Sequence, residues 1–197
     1  MDLGFTKAIT TPHIMSDTHR NSPETILPKL SELQQYLKSE NISFTVEAAA
    51  EYYFDEVITE MVAQETPFLT FGKKYLLFET NTYSDPMFLN DFIFQVKVKG
   101  YQPVMAHPER YKYLQNNLER VQDLIDRGVY MQVNSLSLSG HYSKPIQKTA
   151  IDLVKNKMVH FLGSDCHTPR QARLLKEAMQ SKYFLKALEL PLLNYSL

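Results

Sequence analysis

The sequence predicts an α/β chain of successive βα units in the manner of a TIM-like barrel, and three observations point there. Strand-like apolar runs begin near residues 6, 43, 75, 102, 129 and 158, a spacing of about 27 to 37 residues that leaves room for a helix between one strand and the next. The stretches between them carry apolar residues at helical spacing, with caps and stops in the right places. The strand-like runs also release histidines and carboxylates at their C-terminal ends, which in a βα barrel face one common cavity.

Taken in order, residues 6–11 read as a strand that ends at Pro12-His13. Ser22 is placed to cap a helix with Pro23 at its first position, and Ile26, Leu30, Leu33 and Leu37 follow at i, i+4, i+7 and i+11. Pro28 should kink that helix or move its start. Residues 43–50 form the next strand and deliver Glu51; a short helix over roughly 55–65 leads to the strand 74–78, which delivers Glu79. A segment near 87–99 is helical in places. After the strand 103–106, Asn117 caps a helix with Val121 and Ile125 on one face and Gly128 as its stop. Residues 129–133 make a strand that delivers Asn134, and a helix with Ile146, Ala150, Leu153 and Val154 inward follows. The last strand, 158–162, runs into Gly163-Ser164-Asp165-Cys166-His167, after which Thr168-Pro169 opens a helix carrying Leu174, Leu175, Ala178 and Met179.

The chemistry concentrates first at Val104-Met105-Ala106-His107-Pro108-Glu109-Arg110-Tyr111. Pro108 cannot extend a hydrogen-bonded ladder, so the chain turns there and His107 sits at the strand's end, held by the sheet. Arg110 in the following loop is placed to fork onto a phosphate or carboxylate. Alone, this stretch reads equally well as a satisfied core histidine beside a surface ion pair. Recurrence decides: His13, Glu51, Glu79, His107, Asp165 and His167 fall at five strand ends, and imidazoles with carboxylates are the donors that hold Zn, Mn or Fe. His19 and His141 fall in loops, where a lid would carry them, and His160 lies inside a strand and reads as core.

Composition narrows the function classes. With 197 residues and 44% hydrophobic content the chain can bury one good core, and no linker-like stretch divides it, so a single domain over 1–197 is expected. A formal charge of −1, from 21 basic and 22 acidic residues, offers no polycationic face for nucleic acid. No apolar run approaches the roughly 18 to 20 residues that cross a bilayer. Cys166 is the only cysteine, which excludes an internal disulfide and suits a reducing cytoplasm.

Together, Thr11-Pro12-His13, Ala50-Glu51, Phe78-Glu79, Ala106-His107-Pro108-Glu109-Arg110-Tyr111 and Gly163-Ser164-Asp165-Cys166-His167 resemble successive motifs of the polymerase and histidinol phosphatase (PHP) family. The run from Ala106 to Tyr111 is similar in particular to its branch of manganese-dependent protein-tyrosine phosphatases serving bacterial capsular and exopolysaccharide synthesis. The resemblance spans residues 1 to about 180. It implies a distorted seven-stranded βα barrel with up to three metal ions, Mn first with Fe or Zn as the other candidates, acting on the phosphotyrosine tail of a partner tyrosine kinase. His13, Glu51, Glu79, His107, Asp165 and His167 would be the metal ligands, and Arg110 the phosphate clamp. A second phosphate-binding arginine is expected a few residues after the Asp-x-His motif; Arg170, with Arg173 nearby, takes that place.

The implied mechanism uses metal-bound water rather than a cysteine nucleophile. A Cys-x5-Arg phosphatase would need arginine at 172, where Ala172 stands. The family's first motif, a His-x-His pair followed by an aspartate, is absent from this sequence. The expectation is therefore a barrel lacking its first strand, with poor or no catalysis and an N-terminal segment through His13 that is mobile or pairs unusually, dimerisation along the open edge being one such pairing. Two alternatives stay open on the sequence: a small-molecule phosphatase of histidinol-phosphate type, which uses the same ligands, and a catalytically impaired fragment that only binds a kinase tail.

Overall fold

The computed structural model describes residues 3–197. The chain divides into two compact units, one running to Phe78 and the other from Glu79 to Leu197, and each combines helices with parallel strand pairings.

In the first unit, two expected strands are each followed by a second, short one. Residues 6–11 hold β1 (Lys7–Thr10), and past Thr11-Pro12 the chain resumes as β2 (His13–Ile14). Between β2 and the next strand lies helix α1 (Pro23–Ser39). Residues 43–50 likewise hold β3 (Thr45–Ala48), and past Ala49-Ala50 the chain resumes as β4 (Glu51–Tyr53). β1 pairs in parallel with β3, Lys7 opposite Thr45 through Thr10 opposite Ala48, and β2 pairs in parallel with β4, His13 opposite Glu51. Pro12 has no N–H to give a ladder, so the ladder is carried across the break by neighbours. Ala49 N donates to Thr10 O at 2.8 Å, and Glu51 N to the Pro12 carbonyl at 3.0 Å. His13 and Glu51 thus open a second strand segment instead of closing a first.

Helix α1 runs through Pro28, so that proline does not shift its start; Ser22 N donates to Thr25 Oγ1 at 2.9 Å in the first turn. Ile26 is buried as the periodicity demands, but Leu33 is exposed and Leu30 and Leu37 are half-buried. Helix α2 (Glu56–Ala63) is capped by Asp55, whose Oδ1 accepts from Val57 N and Ile58 N while Oδ2 accepts from Ser16 N. One carboxylate thereby ties the exit of β2 to the start of α2. Strand β5 (Tyr75–Glu79) neighbours β4, and its last residue begins the second unit.

The second unit follows the expected rhythm closely. Helix α3 (Leu89–Val98) buries Leu89, Phe92, Ile93 and Val96. Strand β6 (Gln102–Ala106) leads into a 3-10 turn at Pro108–Arg110. Helix α4 (Leu118–Asp126) is capped by Asn117, whose side chain accepts from Arg120 N, and it stops before Gly128 at φ +90°. Strand β7 (Tyr130–Asn134) pairs in parallel with β6 and with β8 (Phe161–Gly163). Between β7 and β8 lie α5 (Ser135–Leu138), which the sequence did not signal, and α6 (Lys144–Lys155), which buries Ala150, Leu153 and Val154. Helix α7 (Pro169–Ala178) starts at its Thr168 cap as expected, and α8 (Lys182–Leu188) is a further helix.

His160 corrects one expectation, for it precedes β8 instead of lying within it. Its backbone N donates to Met131 O at 3.0 Å, but Met131 N donates to the imidazole Nδ1 at 3.1 Å. The ring occupies the acceptor position that the ladder would use, and it is half-buried and stacked on Tyr130. No helix among the described residues is long and apolar enough to cross a membrane.

Candidate metal and phosphate site

In the first unit the ladder itself brings two candidate ligands together. His13 and Glu51 are direct partners in the β2–β4 register, and His13 Nδ1 lies 3.9 Å from Glu51 Oε1. Glu51 is buried. Asn21 Nδ2 donates to the His13 carbonyl at 2.8 Å, which fixes the backbone of β2 from its other side. His19, placed in a loop by the sequence, has its ring centroid 5.2 Å from that of His13.

In the second unit Glu79 and His107 form a similar pair, with Glu79 Oε2 3.6 Å from His107 Nε2. The residue after Glu79 is anchored, since Thr80 N donates to the Tyr111 hydroxyl at 3.2 Å. His107 lies one residue past β6, where its N–H still donates to Gln132 O at 2.8 Å, and its backbone is left-handed at φ +34°, ψ +55°. Asp165 is left-handed too, at φ +46°. Asn41, Glu65 and Lys157 share that conformation just beyond helix ends, where it is an ordinary cap. His107 and Asp165 instead follow strands, and such a residue costs on the order of 1–3 kcal/mol, a strain that gathers at functional sites.

Arg110 is the hub of this unit's polar network. Its Nη2 lies 2.6 Å from Asp165 Oδ2 and donates to the Tyr142 hydroxyl at 2.6 Å, while its guanidinium carbon sits 4.4 Å from the Tyr142 ring centroid. Asn134 Nδ2 donates to the same two oxygens, at 3.3 Å to Tyr142 Oη and 3.2 Å to Asp165 Oδ2. Burial pulls the Arg110 pKa down, but Asp165, Tyr142 and Glu109 together hold it above its ordinary value, so the fork stays charged.

Beneath it, Glu109 is fully buried: Oε1 accepts from Ser137 Oγ at 2.6 Å and from Asn134 N at 3.1 Å. Burial pushes its carboxyl above the usual range against the pull of Ser137, His107 and Arg110. One carboxylate thus joins the 3-10 turn to the end of β7 and to α5.

The remaining candidates sit at the start of α7. His167 is exposed, with Nδ1 3.4 Å from Asp165 Oδ1 and 3.0 Å from the Asp165 carbonyl oxygen. Arg170 and Arg173 are exposed, and neither side chain makes a hydrogen bond or ion pair among the described residues. Burial, then Asp165, pushes the Cys166 thiol up, the opposite of what a thiolate nucleophile needs.

Within each unit, then, predicted ligands are brought into pairs, and Asp165 joins Arg110. The sequence reading missed Tyr142. It also left Asn134 without a role, although that residue was legible as one a strand delivers. The only signal for Tyr142 was its place beside His141 in a glycine-led loop.

Known proteins are similar to this chain. The family described as capsular polysaccharide synthesis, CpsB/CapC, matches residues 1–184. CapC of Staphylococcus aureus is 27% identical over 163 residues, 83% of this chain and 64% of that protein. The tyrosine-protein phosphatase YwqE of Bacillus subtilis is 27% identical over 164 residues, 83% of this chain and 65% of that protein. This chain therefore spans a little under two thirds of the length of these two relatives. A solved structure from work on YwqE of Bacillus subtilis and CpsB of Streptococcus pneumoniae, described as unique metal-dependent tyrosine phosphatases, superposes with a TM-score of 0.79 at 25% identity. It covers 95% of this chain and 79% of that one, so the α/β fold is shared. The match over residues 1–184 places this chain in the CpsB/CapC family of capsular polysaccharide synthesis.

Proposed function

We propose that this chain carries the catalytic site of a metal-dependent phosphatase that hydrolyses phosphotyrosine on a partner bacterial tyrosine kinase and so regulates capsule or exopolysaccharide synthesis. The observation that carries the reading is the charged Arg110 fork beside Asp165, in a chain whose fold is that of metal-dependent tyrosine phosphatases. His13, Glu51, Glu79, His107, Asp165 and His167 would hold the metal. The donor chemistry fits: imidazoles and carboxylates are ligands for Mn, Fe and Zn, and each unit pairs one with the other, His13 with Glu51 in the first and His107 with Glu79 in the second. Manganese is our first candidate.

A divalent ion bound there supplies Lewis acidity to water and positive charge against the phosphoryl group. The chain's own residues bind and orient the ester. Arg110 forks two phosphoryl oxygens and neutralises charge that grows on them as the ester bond breaks; Arg170, in the first turn of α7, adds a second positive charge, and the backbone N–H groups of that turn favour an anion. We extend the proposal to the fold, a distorted βα barrel of PHP type over residues 1–197, and to a cytoplasmic site of action.

Chelation tests the reading directly. Hydrolysis of a phosphotyrosine peptide should vanish with a chelator and return with Mn, while Cys166→Ser keeps nearly full activity. Activity that survives chelation and is lost with the cysteine would overturn the mechanism.

A further inference from the structure

We propose that Tyr142 is a phosphate-binding residue, its hydroxyl donating a hydrogen bond to a phosphoryl oxygen held by Arg110. This rests on reading Arg110 as the phosphate clamp and adds a second, uncharged donor to it.

The argument is one of hydrogen-bond capacity. A phenol oxygen accepts along two lone-pair directions and donates along one. Tyr142 Oη already accepts twice, from Arg110 Nη2 at 2.6 Å and from Asn134 Nδ2 at 3.3 Å. Its own hydrogen cannot point at either donor, and among the described residues it makes no donated hydrogen bond. The two nitrogens that donate to Tyr142 Oη, Arg110 Nη2 and Asn134 Nδ2, each also face Asp165 Oδ2, and each carries a second hydrogen for it. The surroundings thus already accommodate an anionic oxygen beside the phenol.

The ring cannot swing away easily, because the guanidinium lies over its face at 4.4 Å and the His141 ring meets it edge-on at 5.2 Å. A donor that is fixed, half-buried and unspent, next to the charge expected to grip phosphate, costs little ordering when an anion arrives.

Inorganic phosphate is the probe, with binding to the full 197-residue chain measured by titration calorimetry. Tyr142→Phe keeps the ring under the guanidinium and removes only the hydroxyl. It should raise the phosphate Kd about fivefold to twentyfold, with the thermal midpoint and far-ultraviolet spectrum unchanged. Arg110→Ala should raise it further. The same Phe substitution in an Arg110→Lys background should again weaken binding, because the hydroxyl touches the anion itself. No added loss there overturns the direct contact. Tyr142→Phe with wild-type affinity, while Arg110→Ala is weakened, overturns the role of Tyr142 and leaves the clamp standing. Wild-type affinity in Arg110→Ala, or no saturable phosphate binding by the wild-type chain, overturns the clamp and this proposal with it.

Discussion

The two units hold their candidate site residues by different means. In the first, His13 and Glu51 face each other because β2 and β4 run in register, and the strand backbones, with one amide from Asn21, do the positioning. In the second, Arg110, Asp165, Tyr142 and Asn134 are held mainly by one another, on a backbone left-handed at His107 and Asp165, with the buried Glu109 beneath. A ladder distributes its hold over many peptide groups, so the loss of one side chain leaves the others in place. A side-chain network shares donors and acceptors, and removing one member leaves its neighbours unsatisfied. The second unit should therefore be the more sensitive to single substitutions.

The largest expected effect follows from that. Arg110→Ala should lower kcat/KM for a phosphotyrosine peptide by about 10²–10³, the scale seen when one charge-stabilising donor is removed. Arg110→Lys should recover only part of it, since a point charge lacks the planar fork. Asn21→Ala, which removes the side-chain anchor from the His13 carbonyl, should cost less than about tenfold, as the strand pairing persists. Equal losses from the two alanine variants would erase the contrast between ladder and network.

A smaller effect sharpens it through stability. Glu109→Ala removes the acceptor of Ser137 Oγ and Asn134 N inside the unit and opens a cavity, so chemical denaturation should show a loss of about 2–4 kcal/mol. Glu109→Gln keeps a carbonyl oxygen for both donors, and burial already disfavours the charged carboxylate, so it should cost no more than about 1 kcal/mol. A large loss with Gln would mean that the charge of Glu109, not its hydrogen bonds, holds the turn.

These contrasts also explain what was legible. Strand spacing and the caps at Asn117 and Thr168 are local signals, and the elements they announce are present. Glu79, the last residue of β5, and His107, one residue past β6, stood out because polar residues gather at strand ends. That strands resume at His13 and Glu51 was not legible, because whether the chain enters a second pairing depends on its partner strand, a tertiary fact. Tyr142 was illegible for the same kind of reason: a loop tyrosine carries no periodicity, and its meaning comes from Arg110, 32 residues away in sequence. Leu33 shows the converse, a helical pattern whose apolar residue is exposed.

The smallest effect lies where a side chain enters a ladder. Between β7 and β8, Met131 N donates to His160 Nδ1, which requires that nitrogen to be unprotonated. Burial lowers the His160 pKa below its ordinary value of 6.5, so the folded chain keeps the ring neutral at a pH where the unfolded chain has begun to take up a proton. The unfolded state then binds more protons, and stability, complete above pH 6.5, falls as the pH drops through the folded-state value. Because the ring is only half-buried, solvent screening keeps the effect below about 1 kcal/mol. His160→Asn offers an oxygen acceptor to Met131 N without titrating, so urea midpoints at pH 7.5 and 5.5 should lie closer together in the variant than in the wild type. An unchanged gap would show that Met131 N does not depend on the neutral ring, and that the ladder of the second unit is as independent of side chains as that of the first.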